Sequence, residues 1–464
     1  MAPPMRKLYA FGFNLGEPGE NALFPKVPWS SAVDEAIGRG DKGKDYIVDE
    51  PRLLACALHV EVLSCSWCDS LVAINATTSA QGSTFHYSGM GLSPSQSRYL
   101  ISQPVLRSDS MRDVKVFADA MGRGIQGFLL NRISDVPLDS GFEPPSLADC
   151  TTLTVFIPLH EAKKSEDDYI TVTLRPGLRI EHVAIGAEGR TTFTTAEPGP
   201  GLKGSSPHIH RYIRTVANPS QLLDWAKRHQ IDASPDCVST DSHKSCKEQC
   251  SPFPDPLATL ISNHTTITLL TTTGQVYSFF PDPRFPRCLG RPCDPFHSPS
   301  DTPTPIPYLS ETRIVKIATG GYMTAAISVD GEFFIWGQAG PGMEELAVLR
   351  GTEQYQEVEE QDEFVKLVHL AIDGHPARAT HVAVGSGHVL VAAEADVQET
   401  GKVLRAVFAA GNAEYGQLGI GRKRKFVDNF VEVPDFRGCK VVDLAAAGWA
   451  SWVLVEAEEE LGRR

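Results

Sequence analysis

The chain has 464 residues and a formal net charge of −14, and 42% of its residues are hydrophobic. The acidic balance argues against general nucleic-acid binding, which rests on clustered Lys and Arg, and no apolar run approaches the roughly 18 residues of a membrane-spanning helix. The N-terminal residues lack the apolar segment of a secretory signal, so we expect a cytoplasmic and/or nuclear protein whose ten cysteines are reduced.

Residues 317–337 form the unit that other parts of the chain repeat. Two runs rich in β-branched and aromatic residues flank Asp330-Gly331, a pair that is typical of a tight hairpin turn. A second reversal is predicted at Gly320-Gly321, because residues without a Cβ allow a tight turn after the preceding strand. The unit is therefore predicted to be a small antiparallel meander.

Copies of this unit begin with its second half at residues 8–16 and continue with a complete strand pair within residues 53–74. A further second half lies at residues 407–421, and residues 444–455 are a first half with no second half after them. First halves are expected near Leu63, Val114, Ile180, Leu260, Ile314, Val382 and Leu444. The matches near Val114 and Ile180 are the weakest.

A single domain over residues 1–464 is expected, with loop insertions between the repeats. The insertions are placed at about residues 19–52, 196–255, 291–310 and 340–362. The second insertion contains one predicted helix, with Asn218 as its N-cap, Pro219 in its first turn and Gln221 able to close a capping box. Its apolar stripe is Leu222, Leu223, Trp225 and Ala226.

The two ends of the series are complementary halves of one unit. Joined together, residues 8–16 and 444–455 make a complete meander. A series of four-stranded units that ends in this way closes into a ring, which leaves only short, protected sheet edges. The sequence therefore predicts an all-β, seven-bladed β-propeller that is closed by pairing of its N-terminal and C-terminal strands.

These residues resemble the repeats of the regulator of chromosome condensation family. The resemblance rests on residues 411–419 (Gly-Asn-Ala-Glu-Tyr-Gly-Gln-Leu-Gly), on the Gly320-Gly321-Tyr322 turn and on the hairpin from Asp330 to Gly337. It covers about half of the chain, and residues 135–255 match poorly. The layout is most similar to the small members of the alpha-tubulin suppressor type. The resemblance implies a seven-bladed propeller.

Several motifs that could carry chemistry have a simpler interpretation. Cys65 and Cys68 have the spacing of a redox or zinc half-site, but positions three apart in a strand point to opposite faces. Residues 122–127 match a dinucleotide-binding fingerprint but lack the helix that must follow it. A metal clasp is the alternative to a loop with free thiols for Cys237, His243, Cys246 and Cys250. We predict no catalytic residue, no cofactor and no metal site.

The basic run at residues 422–425 is the only cluster of its kind in this acidic chain. Its position after a predicted repeat hairpin indicates ordinary surface charge. A nuclear import signal is the alternative.

A rigid ring with loops on two broad faces is suited to holding another protein. The favoured function is therefore a non-enzymatic interaction scaffold whose partner is another protein. One alternative is guanine-nucleotide exchange on a small GTPase, which the resemblance implies because the best-known family member has that activity. A second alternative is an enzyme subunit or inhibitor that acts by covering a surface.

A binding rim is predicted from the residue that follows the turn glycine, or its aligned equivalent, in successive repeats. These residues are Trp67, Tyr322, His388 and Trp449. They are expected at one end of the ring near the central channel, as hot spots of an interface or as packing against the neighbouring blade. Many family repeats carry a histidine three residues after the first turn glycine. The matching positions are assigned here to Met323, Thr266, Cys68 and Ala450.

Overall fold

The computed structural model describes most of the chain. The described residues are 4–13, 47–75, 84–103, 114–119, 123–131, 151–158, 168–199, 209–231, 248–280, 282, 284–293, 301–350, 364–421 and 423–457.

Within these ranges the chain forms 28 strands. The first fourteen are β1 (Arg6–Phe13), β2 (Ile47–Ala57), β3 (His59–Cys65), β4 (Asp69–Asn75), β5 (Thr84–Gly89), β6 (Val114–Asp119), β7 (Gly124–Asn131), β8 (Thr151–Phe156), β9 (Tyr169–Thr173), β10 (Arg179–Ile185), β11 (Thr191–Pro198), β12 (Ile209–Val216), β13 (Gln249–Pro252) and β14 (Leu257–Ser262). The others are β15 (Ile267–Thr271), β16 (Val276–Phe279), β17 (Thr304–Pro305), β18 (Ile314–Gly320), β19 (Met323–Ser328), β20 (Phe333–Gly337), β21 (Val365–Val368), β22 (Leu370–Ile372), β23 (His375–Val384), β24 (His388–Val397), β25 (Lys402–Asn412), β26 (Phe426–Glu432), β27 (Val441–Ala447) and β28 (Ala450–Glu456).

The described residues also form three α-helices. They are α1 (Pro94–Ser102), α2 (Pro219–Arg228) and α3 (Ala347–Arg350).

The strands form seven antiparallel sheets, which are the blades of a propeller. In order around the ring they are β3-β4-β5, β6-β7-β8-β9, β10-β11-β12-β13, β14-β15-β16-β17, β18-β19-β20-β21, β22-β23-β24-β25-β26 and the closing blade β2-β1-β28-β27. The innermost strands contact one another in the sequence β3, β6, β10, β14, β18, β23, β27 and then β3 again. This closed series confirms the predicted all-β, seven-bladed propeller.

The closing blade joins the two ends of the chain. Strand β1 pairs with β28 over seven residues, from Arg6 opposite Glu456 to Gly12 opposite Ala450. Because β1 also pairs with β2, the N-terminal segment supplies the two outer strands and the C-terminal segment supplies the two inner ones. The predicted pairing of N-terminal with C-terminal strands is confirmed.

All seven predicted first halves coincide with inner strands, including the two weakest near Val114 and Ile180, which are β6 and β10. The predicted hairpin within residues 317–337 is also confirmed, since the turn at Asp330-Gly331 joins β19 to β20. The halves are recognisable because each also contains the second strand of its blade, which is buried, and burial selects β-branched and aromatic residues. Strand β19 is buried along its whole length.

Three of the predicted loop insertions contain residues that form outer strands in the structure. Residues 47–52 belong to β2 rather than to the insertion at 19–52, and residues 53–57 continue β2 instead of starting the next blade. Strands β12 and β13 lie within the predicted insertion at 196–255, and β17 lies within that at 291–310. Outer strands face solvent on one edge, so they tolerate polar residues and proline and resemble loops in sequence. Residues 19–46 and 351–362 lie outside the described part of the chain.

Helix α2 confirms the predicted helix, and its N-cap is Asn218, whose side chain accepts a hydrogen bond from the Gln221 N–H. The predicted capping box is incomplete, because Gln221 Oε1 accepts from the Ala217 N–H instead of the N-cap N–H. Leu222, Leu223, Trp225 and Ala226 are buried as expected.

Helix α1 is not foreseen by the sequence analysis. A capping box of Ser93 and Gln96 starts the helix, which follows a three-stranded blade and lies against its outer strand β5. Gln96 Nε2 donates to the carbonyl oxygens of Ile157 and Asp168, both at 2.7 Å, so the helix connects its own blade to the next one. No helix in the described residues is both long and apolar enough to cross a bilayer.

Candidate functional site

One end of the ring carries the turns between the first and second strands of each blade. In an antiparallel meander the loops between third and fourth strands reach the same end. We call this end the inner-turn face. Its described turns include residues 66–69, 186–190, 263–266, 320–323, 385–388 and 448–449.

Trp449 lies half-buried on the inner-turn face within a group of three rings. Its ring centroid is 6.0 Å from that of Phe13 and 5.3 Å from that of Tyr415, and the Phe13 and Tyr415 centroids are 5.5 Å apart. Phe13 ends β1, and Tyr415 belongs to the loop after β25. The three rings come from two neighbouring blades and support one another through edge and tilted contacts.

Trp67 lies beside this group, in the turn of the next blade. A Cβ on Gly448 would be 2.4 Å from the Trp67 Cβ, so the two turns are in close contact. Trp67 is half-buried, like the three rings of Phe13, Tyr415 and Trp449.

Tyr322 lies farther around the same face and is also half-buried. Its ring is stacked on that of His264, with centroids 5.2 Å apart, and is tilted against Phe285 at 4.6 Å. Burial raises the pKa of the Tyr322 hydroxyl. Tyr322 thus occupies a junction between its own blade and the preceding one.

His388 is placed by the structure inside the ring instead of on its rim. It is fully buried, and the Gly385 N–H donates to the His388 carbonyl at 2.9 Å, so His388 closes its turn. Met323 and Ala450 occupy the corresponding closing positions. The predicted rim alignment is therefore wrong at His388, because Gly387 was matched to Gly321, whereas in this register Gly387 corresponds to Tyr322 and His388 to Met323.

His388 bridges to the closing blade. The Ser451 hydroxyl donates to the Gln417 carbonyl at 2.8 Å, so His388 Nε2–H donates to Ser451 Oγ at 2.9 Å. A Cβ on Gly385 would lie 2.0 Å from the His388 ring, which explains the glycine at that position. Burial lowers the pKa of His388 to about 4, so the imidazole is neutral. Its role is to join two blades.

Asp69, and not Cys68, occupies the corresponding position in the first complete blade. The Ser66 N–H donates to the Asp69 carbonyl, as the Gly385 N–H does to His388. The Asp69 carboxylate accepts from Ser66 Oγ at 2.6 Å and from the Ile125 N–H of the next blade at 2.9 Å. Burial is the main cause that raises its pKa to about 6. Asp69 was not among the predicted residues. It is the fourth residue of the turn that begins at Ser66, and this spacing could have identified it.

The contact of the Asp69 carboxylate with the start of β7 explains the glycines at residues 122–127, which match a dinucleotide-binding fingerprint. Gly124 begins β7, so a strand and not a helix follows the glycines. A Cβ on Gly124 would lie 2.3 Å from an Asp69 carboxylate oxygen, and the Gly124 φ of +75° favours glycine. The glycine admits the carboxylate of a neighbouring blade.

The inner-turn face also contains a cleft of about 400 Å³ beside Tyr322. Its charged and aromatic lining consists of Glu188, Arg190, His264, Phe280, Asp282, Arg284 and Tyr322. The Arg190 guanidinium lies 5.4 Å from the centre of the Phe280 ring, and Arg284 pairs with Asp282. The cleft is open and its two cations are balanced by two carboxylates.

Cys65, Cys68 and His182 are placed by the structure in packing positions. Burial raises the pKa of both Cys65 and Cys68 to about 12, so both are protonated. His182 is bonded to the Leu257 carbonyl at 3.2 Å, and burial lowers its pKa to about 4. Cys250 lies in β13, whereas Cys237, His243 and Cys246 lie outside the described residues. Within the described ranges, no group of three His, Cys, Asp or Glu side chains is arranged for a metal ion.

Comparison with known proteins identifies similar solved structures only. No protein-family model and no curated protein matches the chain. Prp20p from Saccharomyces cerevisiae is 12% identical, with a TM-score of 0.52 and coverage of 99% of this chain and 93% of that one. The same yeast protein, RCC1 (Prp20), bound by Kap60, is 12% identical, with a TM-score of 0.53 and coverage of 98% and 90%. These likenesses support the fold.

Proposed function

We propose that this chain is a non-enzymatic protein-interaction scaffold of the regulator of chromosome condensation type, which binds another protein through its inner-turn face. One observation carries the proposal. Half-buried aromatic side chains lie on this face in three of four successive blades, at Tyr322, Trp449 and Trp67. His388, in the remaining blade, is buried and takes no part in the proposed surface.

The chemistry of this face favours binding over catalysis. Aromatic rings that remain partly exposed give an interface large contact area at a low cost in conformational entropy, and they are enriched at hot spots. His182 and His388 are engaged in packing contacts. The resemblance to small members of the alpha-tubulin suppressor type is consistent with a scaffold, and a cytoplasmic and/or nuclear location of the protein is proposed with it.

Two aromatic variants test the proposal. Tyr322→Ala and Trp449→Ala are compared with wild type by quantitative capture of partners from a cell lysate and by urea unfolding. As hot spots, both should lose the same captured protein while stability changes little. As packing residues, each should cost up to about 3 to 5 kcal/mol of unfolding free energy, as buried aromatics do.

A matched control comes from the opposite end of the ring. Val329 precedes the Asp330-Gly331 turn there, and 56% of its surface is exposed. Val329→Ala should retain the captured protein. A Trp449→Ala protein that is strongly destabilised but still captures it would contradict the hot-spot interpretation.

Exchange on a small GTPase is the second candidate. The structure of Prp20p was presented with its binding properties to Gsp1p and histones, and that protein shares the fold of this chain. If a GTPase is captured, release of a fluorescent guanine nucleotide from it should accelerate on addition of this chain. Binding with no acceleration would leave the scaffold function and exclude exchange for that GTPase.

A further inference from the structure

We propose that the inner-turn face contains a docking surface for an acidic segment of the partner that also carries an aromatic or aliphatic anchor residue. This inference rests on the proposed function and specifies the chemistry of the partner. The surface, which we call the basic-aromatic patch, consists of Phe13, Trp67, Tyr415, Lys423, Arg424, Lys425 and Trp449. It spans the closing blade and the blades on either side of it.

The aromatic part of the patch is continuous. Trp67 contacts the turn that carries Trp449, and the rings of Trp449, Phe13 and Tyr415 are each within 6.0 Å of the other two, measured between centroids. The Phe13 N–H donates to the Trp449 carbonyl at 2.8 Å, which fixes the two backbones relative to each other. All four rings are half-buried, so a rigid apolar surface faces solvent. Such a surface can desolvate an anchor side chain without first becoming ordered.

The basic part of the patch lies in the same loop as Tyr415. Lys423, Arg424 and Lys425 are all exposed. Lys425 Nζ is 3.9 Å from a Glu414 carboxylate oxygen. Among the described residues, neither Lys423 nor Arg424 has an ion-pair partner. These cations have the opposite sign to the net charge of −14 and are available to a ligand.

Backbone hydrogen bonds anchor the loop that carries Tyr415 and the three described cations. The Ala413 N–H donates to the Lys425 carbonyl at 2.8 Å, and the Gly421 N–H donates to the Asp49 carbonyl at 3.0 Å. Asn412 and Phe426 pair across the base of the loop. The backbone of Lys425 is therefore anchored to the propeller, in the same loop as Tyr415.

An acidic segment with an apolar anchor complements this arrangement. Acidic side chains of the partner would pair with Lys423 and Arg424, and the anchor would lie on the rings. Complementary charge mainly sets association rate and specificity, while buried apolar anchors supply most of the binding energy. A basic partner would meet the three cations and be repelled. A nuclear-import adaptor that binds only the basic run would bind without contacting the aromatic rings.

Selection from a random peptide display library tests the inference on the full chain. We expect selected peptides to be enriched in Asp and Glu together with Phe, Trp or Leu, and their binding to weaken as salt is raised. The double variant Lys423→Glu, Arg424→Glu should weaken the selected peptides by at least about tenfold, because both rim charges become repulsive. Trp449→Phe should weaken them less, since an apolar ring is retained.

The matched control reverses two exposed cations at the other end of the ring. Arg313 precedes β18, and Lys402 begins β25 after the hairpin from β24. The double variant Arg313→Glu, Lys402→Glu has the same net charge as the test variant and should bind the selected peptides as wild type does. Urea unfolding of both double variants confirms that the fold is retained.

Three outcomes would overturn the inference. They are selection of basic peptides, equal binding by the two double variants, and no enrichment over the Lys423→Glu, Arg424→Glu protein. Capture of an import adaptor that depends on Lys423 and Arg424 but not on Trp449 would assign the run to transport instead. A partner that is captured through Tyr322 and Trp449 while no acidic peptide is selected would uphold the proposed function and reject only the acidic segment.

Discussion

Asp69 and His388 occupy the same position in the turns of two blades, and each connects its blade to the following one. We call these connections the Asp69 joint and the His388 joint; Asp69 acts as an acceptor and His388 as a donor. Asp69 accepts from the Ile125 N–H of the following blade, and His388 donates to Ser451 Oγ of the following blade. Both side chains are fully buried, and burial moves their pKa values in opposite directions, to about 6 and to about 4. In each case burial favours the neutral form.

The comparison shows that the position is not restricted to one residue type. Where Met323 or Ala450 occupies it, apolar packing takes over. Where Asp69 or His388 occupies it, the neighbouring blade supplies a matching group, because a buried polar group without a partner costs about 1 to 3 kcal/mol. The two polar joints should therefore respond oppositely to pH.

The largest expected effect comes from removing one joint altogether. Deletion of residues 445–464 removes β28 and with it Ser451, so His388 loses its partner and β1 loses its inner neighbour. Two open sheet edges result, and we expect insoluble protein or a large fall in melting temperature. Solubility and thermal unfolding measure this. A truncated protein that melts as the full chain does would disprove closure through β1 and β28.

The Asp69 joint should lose stability as pH rises. Its folded pKa of about 6 exceeds the ordinary 3.8, so its contribution is complete below pH 3.8 and is lost as pH rises through 6. The change amounts to about 3 kcal/mol, since one pKa unit corresponds to about 1.4 kcal/mol. Asp69→Asn removes this dependence. Urea unfolding at pH 5 and pH 8 should show wild type losing stability relative to Asp69→Asn, and parallel curves would contradict the assignment.

The His388 joint should lose stability in the other direction. Its folded pKa is lowered from 6.5 to about 4, so its contribution is complete above pH 6.5 and is lost as pH falls towards 4. Between pH 6.5 and pH 5 the loss is about 2 kcal/mol. His388→Gln keeps a donor for Ser451 and removes the titration. Wild type should therefore lose stability relative to His388→Gln over this interval, and an equal loss in both proteins would show that other groups titrate.

The inner strands could be predicted from the sequence, whereas the bridging residues could not. Inner strands such as β6 and β10 are only partly buried, and they are recognisable through the buried second strand that follows each of them, β7 and β11. Outer strands such as β2 and β13 carry polar residues and proline, so their sequences resemble loops. The register of each turn is set by one backbone hydrogen bond, such as Gly385 N–H to the His388 carbonyl, and side-chain spacing does not show it.

The positions of three aromatic residues in the turns could be predicted from the sequence, whereas the ring partners of Trp449 could not. Trp67, Tyr322 and Trp449 follow or align with turn glycines and are half-buried in the turns. The partners of Trp449 in the ring group, Phe13 and Tyr415, are distant in sequence, and only the closed ring brings them together.

Helix α1 has a consequence for aggregation. Among the described residues, the blade that it follows ends at β5, and an outermost strand offers unpaired backbone groups to which another chain can add. The helix packs against β5, and the Gln96 side chain fastens it to carbonyls of the neighbouring blade. A protein in which this helix detached would still be largely folded, yet it would expose a template for intermolecular strand addition. We therefore expect detachment of the helix to promote intermolecular strand addition.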